Sequence, residues 1–93
     1  MKILTVCGMG VGSSIILKMN VEKALRRLGV SGEVEVADIG TARGAATGVD
    51  LVVTSGELAT QLGQLKAQIV VVDNIVNVDG IAEALNTALP NVS

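Results

Sequence analysis

Phenylalanine, tyrosine, tryptophan and histidine are all absent from the 93 residues of this chain. Its core must therefore be built from Val, Ile, Leu, Met and Ala, and no aromatic platform is available on which a base or a sugar ring could stack. Without histidine there is no imidazole to act as base, nucleophile or metal ligand, and no cluster of other ligands points to a metal. A single cysteine cannot form an internal disulfide, which fits a reducing, cytoplasmic setting. The seven basic residues are scattered and the net charge is −2, so the electrostatic footprint of a nucleic-acid binder is missing. No apolar run approaches the roughly 18 to 20 residues that span a bilayer, which predicts a soluble protein with no direct membrane insertion. The opening Met1-Lys2-Ile3-Leu4-Thr5-Val6 runs into glycines and not into a small-residue cleavage site, so it is not read as a signal peptide. The length predicts one domain over residues 1–93, and the start at Met1 with a short tail after Pro90 favours a free subunit.

What is present alternates between two periodicities. Ile3 to Val6, Leu51 to Val53 and Ile69 to Val72 are short branched runs that predict parallel strands buried on both faces. Glu33-Val34-Glu35-Val36-Ala37-Asp38 alternates instead, which predicts an edge strand with Val34 and Val36 on a covered face. Helical spacing links Leu17, Val21, Ala24, Leu25 and Leu28, with Gly29 as a stop. Leu58, Leu62 and Leu65 mark a second helix, opened by a capping box from Thr54 to Glu57 and weakened at Gly63. A last helix is expected from Asp79 as cap through Ile81, Ala82, Leu85, Ala88 and Leu89 to Pro90, while residues 40–48 fit either a short helix or a loop. The order predicts a three-layer α/β fold, a four-stranded parallel sheet of order 2-1-3-4 flanked by helices and resembling the low-molecular-weight phosphatase fold. Ligands of such sheets bind beyond the strands' carboxyl ends, at the switch between strands one and three.

The lone cysteine, Cys7, falls at that switch. It follows the first strand and opens a glycine-rich loop, Cys7-Gly8-Met9-Gly10-Val11-Gly12-Ser13-Ser14. Glycines at alternate positions allow a tight turn with N–H groups pointing inward, and a helix expected to start at the serines adds its free N–H groups and positive dipole end. Such a cradle binds phosphate and also lowers the pKa of a thiol. A Walker A loop is excluded because Gly12 is followed by Ser13 and not by lysine, and a dinucleotide fingerprint lacks its third glycine, although Asp38 could mimic the ribose-binding acid. Low-molecular-weight cysteine phosphatases resemble the chain in placing a cysteine after strand one, but their arginine falls on Ser13 here, and no Asp-Pro pair resembles their general-acid loop. Asp73-Asn74 after the fourth run is read as a turn or cap.

Val6-Cys7-Gly8-Met9-Gly10-Val11-Gly12-Ser13-Ser14, continued by Ile15-Ile16-Leu17-Lys18-Met19, resembles the B component of an enzyme II of the bacterial phosphoenolpyruvate-dependent sugar phosphotransferase system (PTS). The similarity is greatest to the ascorbate-type branch of the lactose and ascorbate group. The resemblance implies that Cys7 takes a phosphoryl group from a histidine of the IIA component and passes it to a sugar, ascorbate being the nearest label, held in the membrane-embedded IIC component. It also implies a cradle of Gly8, Met9, Gly10, Val11, Gly12, Ser13 and Ser14, a cytoplasmic location at the membrane through IIC, and no cofactor beyond the covalently carried phosphoryl group. Ser13 and Ser14 are read either as hydroxyls that contact phosphate or as simple helix caps. Ile15 and Met19 lie opposite the Leu17 stripe, either packed under the site's loops or forming a docking patch for partners. Lys18, Lys23, Arg26 and Arg27 are read as a solvated helix face. Two alternatives stay open: an independent cysteine phosphatase, and a regulatory module whose loop holds phosphate without covalent chemistry.

Overall fold

The computed structural model describes residues 1–6, 11–63 and 66–89, with residues 11–14 described by backbone alone. Strands β1 (Lys2–Val6), β2 (Glu33–Ala37), β3 (Leu51–Thr54) and β4 (Gln68–Val71) alternate with helices α1 (Val11–Leu28), α2 (Ala42–Ala45), α3 (Gly56–Leu62) and α4 (Val78–Ala88). A 3-10 turn, Ala46–Gly48, extends α2, so residues 40–48 hold the short helix that their composition allowed. The sheet order is β2-β1-β3-β4 and every pairing is parallel, as expected.

Alternation along the strands divides the core in two. Ile3, Leu51, Val53, Val70 and Val72 meet Leu17, Val21, Ala24 and Leu25 of α1 and Ile81, Ala82, Leu85 and Ala88 of α4 on one face. On the other face, Leu4, Val6 and Val52 meet Ala42, Ala46, Leu58 and Leu62. The second face is covered by short elements because small alanines let α2 and its 3-10 turn lie close to the strands. Burial of this aliphatic surface, worth about 25 cal/mol per Å² of apolar area removed from water, is the main stabilising term.

Several expectations are corrected. Val36 does not share the cover of Val34: it is 41% exposed, on an outer strand with a neighbour on one side only. The fourth strand runs one residue earlier than the apolar run, and Val71 is 46% exposed because β4 is also an edge and is not buried on both faces. α4 is capped by Asn77, whose Oδ1 accepts from the Gly80 N–H at 3.1 Å, and not by Asp79. Asp79 is then free to pair with Arg27 across α1 and α4, an exposed pair that leaves Arg27 on the solvated face expected of it. α3 is capped by Ser55, which accepts from the Leu58 N–H at 3.3 Å, and not by Thr54. α3 stops at Leu62, where Gly63 adopts φ +66; Leu65, like Pro90 and the tail to Ser93, lies outside the described residues. At the end of α1, Gly29 (φ +70) passes the chain out of the helix, with its N–H on the Arg26 carbonyl (3.2 Å) and the Val30 N–H on the Leu25 carbonyl (3.0 Å). These are the paired bonds of a Schellman motif, which satisfies two carbonyls that the helix leaves open.

Candidate functional site

β1 leads into α1 and α1 into β2 on one side of the sheet, while β3 and β4 lie on the other. The switch of strand order is therefore between β1 and β3, and it opens at their carboxyl ends, Val6 and Thr54, which pair in register. In the sequence Cys7 is the next residue after Val6. Cys7, Gly8, Met9 and Gly10 lie outside the described residues, as do the side chains of Val11, Gly12, Ser13 and Ser14.

The surrounding frame is described. α1 begins at Val11, five residues after Val6, so the positive end of an 18-residue helix opens at this edge of the sheet. It starts two residues before the serine pair, which corrects the expectation that the serines cap it: both lie within the first turn. A cap preference is worth only about 1 kcal/mol and yields to the path that the end of β1 imposes. In consequence the N–H groups of Val11, Gly12 and Ser13 fall where an α-helix has no internal acceptor, and three of the expected cradle residues have donors to offer.

Two buried hydroxyls tie the strand ends together. Thr54 Oγ1 donates to the Val6 carbonyl at 3.0 Å, and Thr5 Oγ1 donates to the Glu35 carbonyl at 3.0 Å. Both threonines are wholly buried. The Val6 carbonyl belongs to the planar peptide unit that continues into Cys7, so the Thr54 hydroxyl restrains the last described atom before the candidate nucleophile. Sequence reasoning missed this function of Thr54 by assigning it to a cap; its signal was a hydroxyl residue at the end of an otherwise apolar strand.

Other polar residues near this end are occupied locally. Asp38 Oδ1 accepts from the Thr41 N–H at 2.9 Å and from Thr41 Oγ1 at 3.0 Å, the turn that leads to α2, so it does not stand free as a ribose-binding acid. Asn74 Oδ1 accepts from the Val76 N–H at 3.0 Å, the turn role expected of it. All three arginines are far from the end of β1. Arg26 and Arg27 are in the last turn of α1, about 22 Å along the helix from Val11 at 1.5 Å per residue. The Arg43 guanidinium lies beside Gly63, beyond the far end of α3. No arginine from elsewhere in the fold fills the place that Ser13 leaves empty in a phosphatase comparison.

Ile15 and Met19 are 49% and 50% exposed, on the face of α1 opposite its core stripe, and Ile16, which the spacing argument left out, is 43% exposed beside them. Asn20, one turn below Ile16, donates to the Ile75 carbonyl at 2.7 Å and holds the β4–α4 loop against this side of α1. That loop presents Val76 at 62% exposure. Among the described residues no group of three or more acidic or thiol ligands could hold a metal, and no helix is long and apolar enough to cross a membrane.

Residues 2–87 match the protein family described as "PTS system, Lactose/Cellobiose specific IIB subunit". An ascorbate-specific PTS system EIIB component of Mycoplasma pneumoniae is 33% identical over 88 residues, covering 94% of this chain and 93% of that protein. A protein of the same description from Escherichia coli O157:H7 is 33% identical over 61 residues, covering 66% of this chain and 60% of that protein. Among solved structures, the lactose-specific IIB component domain of the phosphoenolpyruvate:carbohydrate phosphotransferase system from Streptococcus pneumoniae aligns with a TM-score of 0.63, covering 97% of this chain and 95% of that one. At 19% identity this likeness speaks to the fold.

Proposed function

The chain belongs to the lactose/cellobiose-type IIB subunit family of the PTS, and from that premise we propose that it carries a phosphoryl group on Cys7 between two partner proteins. The observation that carries this reading is the pairing of a lone thiol, next in sequence to the β1 end, with a helix N-terminus and no arginine at that end. A thiolate there attacks the phosphorus of a phosphohistidine on the IIA component. The S–P bond forms as the N–P bond breaks, and the imidazole nitrogen leaves with the electron pair. Cradle N–H groups, including those of Val11, Gly12 and Ser13, hold the phosphoryl oxygens. Transfer onward reverses the roles: a sugar hydroxyl oxygen in the IIC component attacks phosphorus, the P–S bond breaks, the thiolate is restored and the hydroxyl proton passes to a base on the IIC side.

A carrier must accept readily and lose little to water. A phosphatase relies on a fixed guanidinium to stabilise the hydrolytic transition state, and here Ser13 stands in that place while every arginine is held elsewhere. This favours a carrier over an independent hydrolase. No cofactor is required, since the cargo is itself covalently held. The protein works on the cytoplasmic side of the membrane, reaching it through IIC. The exposed Ile15, Ile16 and Met19 form the apolar surface on which the partners dock in turn, because each must approach the same sulfur past this end of α1. The two relatives named ascorbate-specific make ascorbate the first sugar to try.

The test is intact mass at neutral and acid pH after incubation with phosphoenolpyruvate, the general phosphotransferase proteins and a panel of IIA components. One added phosphoryl group, persistent in time and absent from Cys7→Ser, is expected. No adduct with any IIA would overturn the carrier reading, and turnover of an aryl phosphate by the isolated protein would replace it with a phosphatase.

A further inference from the structure

At one edge of the sheet a strand lies open beside an acidic groove. The Gln68 N–H of β4 donates to the Asp50 carbonyl at 3.1 Å, and the Val72 N–H just past the strand donates to the Thr54 carbonyl at 2.8 Å. Backbone groups alternate in direction along a strand, so the N–H and C=O groups of Ile69 and Val71 face away from β3, where the sheet has no further strand. A groove of about 530 Å³ runs between this edge and α4. Its α4 wall carries Glu83 among the small residues Gly80, Ala84 and Ala88, and Asp73 lines it where β4 ends. Both carboxylates are exposed. Among the described residues, which include all seven basic ones, the ion pair formed is that of Arg27 with Asp79, so neither Asp73 nor Glu83 is neutralised by a neighbour. Lys66 stands before the other end of β4 and does not line the groove.

We propose that this groove takes an extended, lysine- or arginine-bearing segment of the membrane-embedded IIC component, added to the sheet beside β4. The partner's identity rests on the carrier reading, and its chemistry rests on the groove. Ile69 and Val71 each offer an outward donor and an outward acceptor, which is what an added strand pairs with. Guest residues set beside Val70 and Val72 point to the face of the sheet on which α4 lies. Gly80 and Ala84 leave room there for the stem of a long side chain, whose charged head meets Glu83. Charge decides among occupants: an acidic segment or an anionic membrane surface is repelled, whereas the cytoplasmic loops of membrane proteins carry an excess of Lys and Arg. β4 is two strands from β1, about 10 Å at about 4.8 Å per strand. A segment held at this edge therefore leaves the carboxyl end of β1 open while keeping the IIC component within reach of it.

The first arm of the test titrates the full isotope-labelled chain with a blocked Lys-Val-Lys-Val-Lys peptide and follows its amides by NMR. Saturable shifts at the Ile69 and Val71 amides are expected. Glu83→Lys, at an exposed position, weakens binding by about threefold to tenfold with an unchanged thermal midpoint. Val71→Pro removes an outward donor on an edge strand and weakens it as well. The proposal is overturned by no shift at millimolar peptide, by equal binding of a Glu-Val-Glu-Val-Glu peptide, by shifts in β2 in place of β4, or by the same amides shifting with the chain's own concentration when no peptide is present. The second arm compares onward transfer from the phosphorylated chain to vesicles holding IIC with acceptance from IIA. Glu83→Lys raises the KM for the vesicles by about threefold to tenfold and leaves acceptance unchanged; an unchanged KM overturns the proposal. A wild-type chain that takes no phosphoryl group from any IIA is the separate failure of the carrier reading, and it removes the assignment to IIC with it.

Discussion

At the end of the sheet where the strands begin, closure is by charge and backbone: the Lys2 N–H donates to Asp50 Oδ2 at 2.9 Å, the Asp50 N–H donates to the Lys2 carbonyl at 2.8 Å, and the Glu33 N–H donates to the Met1 carbonyl at 2.9 Å. At the end where β1 and β3 finish, closure is by buried hydroxyls, with Thr5 on the Glu35 carbonyl and Thr54 on the Val6 carbonyl, and half-exposed isoleucine and methionine stand nearby on α1. The difference teaches what each end is for. On the proposed carrier role, a hydroxyl fixes a carbonyl without placing a formal charge beside an anionic cargo, and bare apolar side chains cost stability that a covering partner would return. The starting end only has to stay shut.

Substitutions at four positions sharpen that contrast or break it. The largest effect belongs to Cys7→Ser, which should abolish phosphoryl acceptance in the intact-mass assay; acceptance at a wild-type level would remove the thiol from the mechanism. Met19→Glu places a charge in the apolar surface of α1 and should slow transfer from IIA by about tenfold, with an unchanged thermal midpoint because the side chain is half exposed. Transfer kinetics identical to wild type would show that partners approach by another face.

Thr54→Val keeps the shape and removes the donor to the Val6 carbonyl. It should cost about 1 kcal/mol of stability and slow acceptance by about threefold to tenfold through looser positioning, while Thr54→Ser, which keeps the hydroxyl, should restore the rate. Stability loss without any change in rate would make Thr54 a packing residue. Gly29→Ala is the control from the end of α1 remote from Val11. A Cβ there meets nothing within 4 Å, yet φ +70 disfavours it, so a loss of about 1 kcal/mol is expected, read as a fall of about 4–8 °C in Tm, with transfer unaffected. A slowed transfer in this variant would show that the two ends are not independent.

Much of the frame was legible in the residues. Unbroken branched runs announced the strands, a helical stripe announced α1, and the alternation of the two implied the parallel order that is observed. Errors gathered where a choice was left to local polar groups. Thr54 or Ser55, and Asp79 or Asn77, could each cap a helix by their chemistry, and only the three-dimensional path of the chain decided between them. Val36 and Val71 show the same limit for apolar side chains. Alternation and run length report that a strand is apolar, but whether a helix covers a given residue depends on where the strand lies in the sheet. Of the candidate site, Cys7, Gly8, Met9 and Gly10 lie outside the described residues, so their roles rest on their place in the sequence and on the family to which the chain belongs.

The sequence by itself determined the fold class, the strand order and the place of a lone thiol directly after the first strand in the chain, because hydrophobic periodicity and the position of a glycine-rich segment are one-dimensional properties. Only the tertiary structure decided that Thr54 holds the Val6 carbonyl and that all three arginines sit away from the end of β1. Those are relations between residues distant in the chain, and they exist only once burial of the aliphatic core has set the strands and helices side by side.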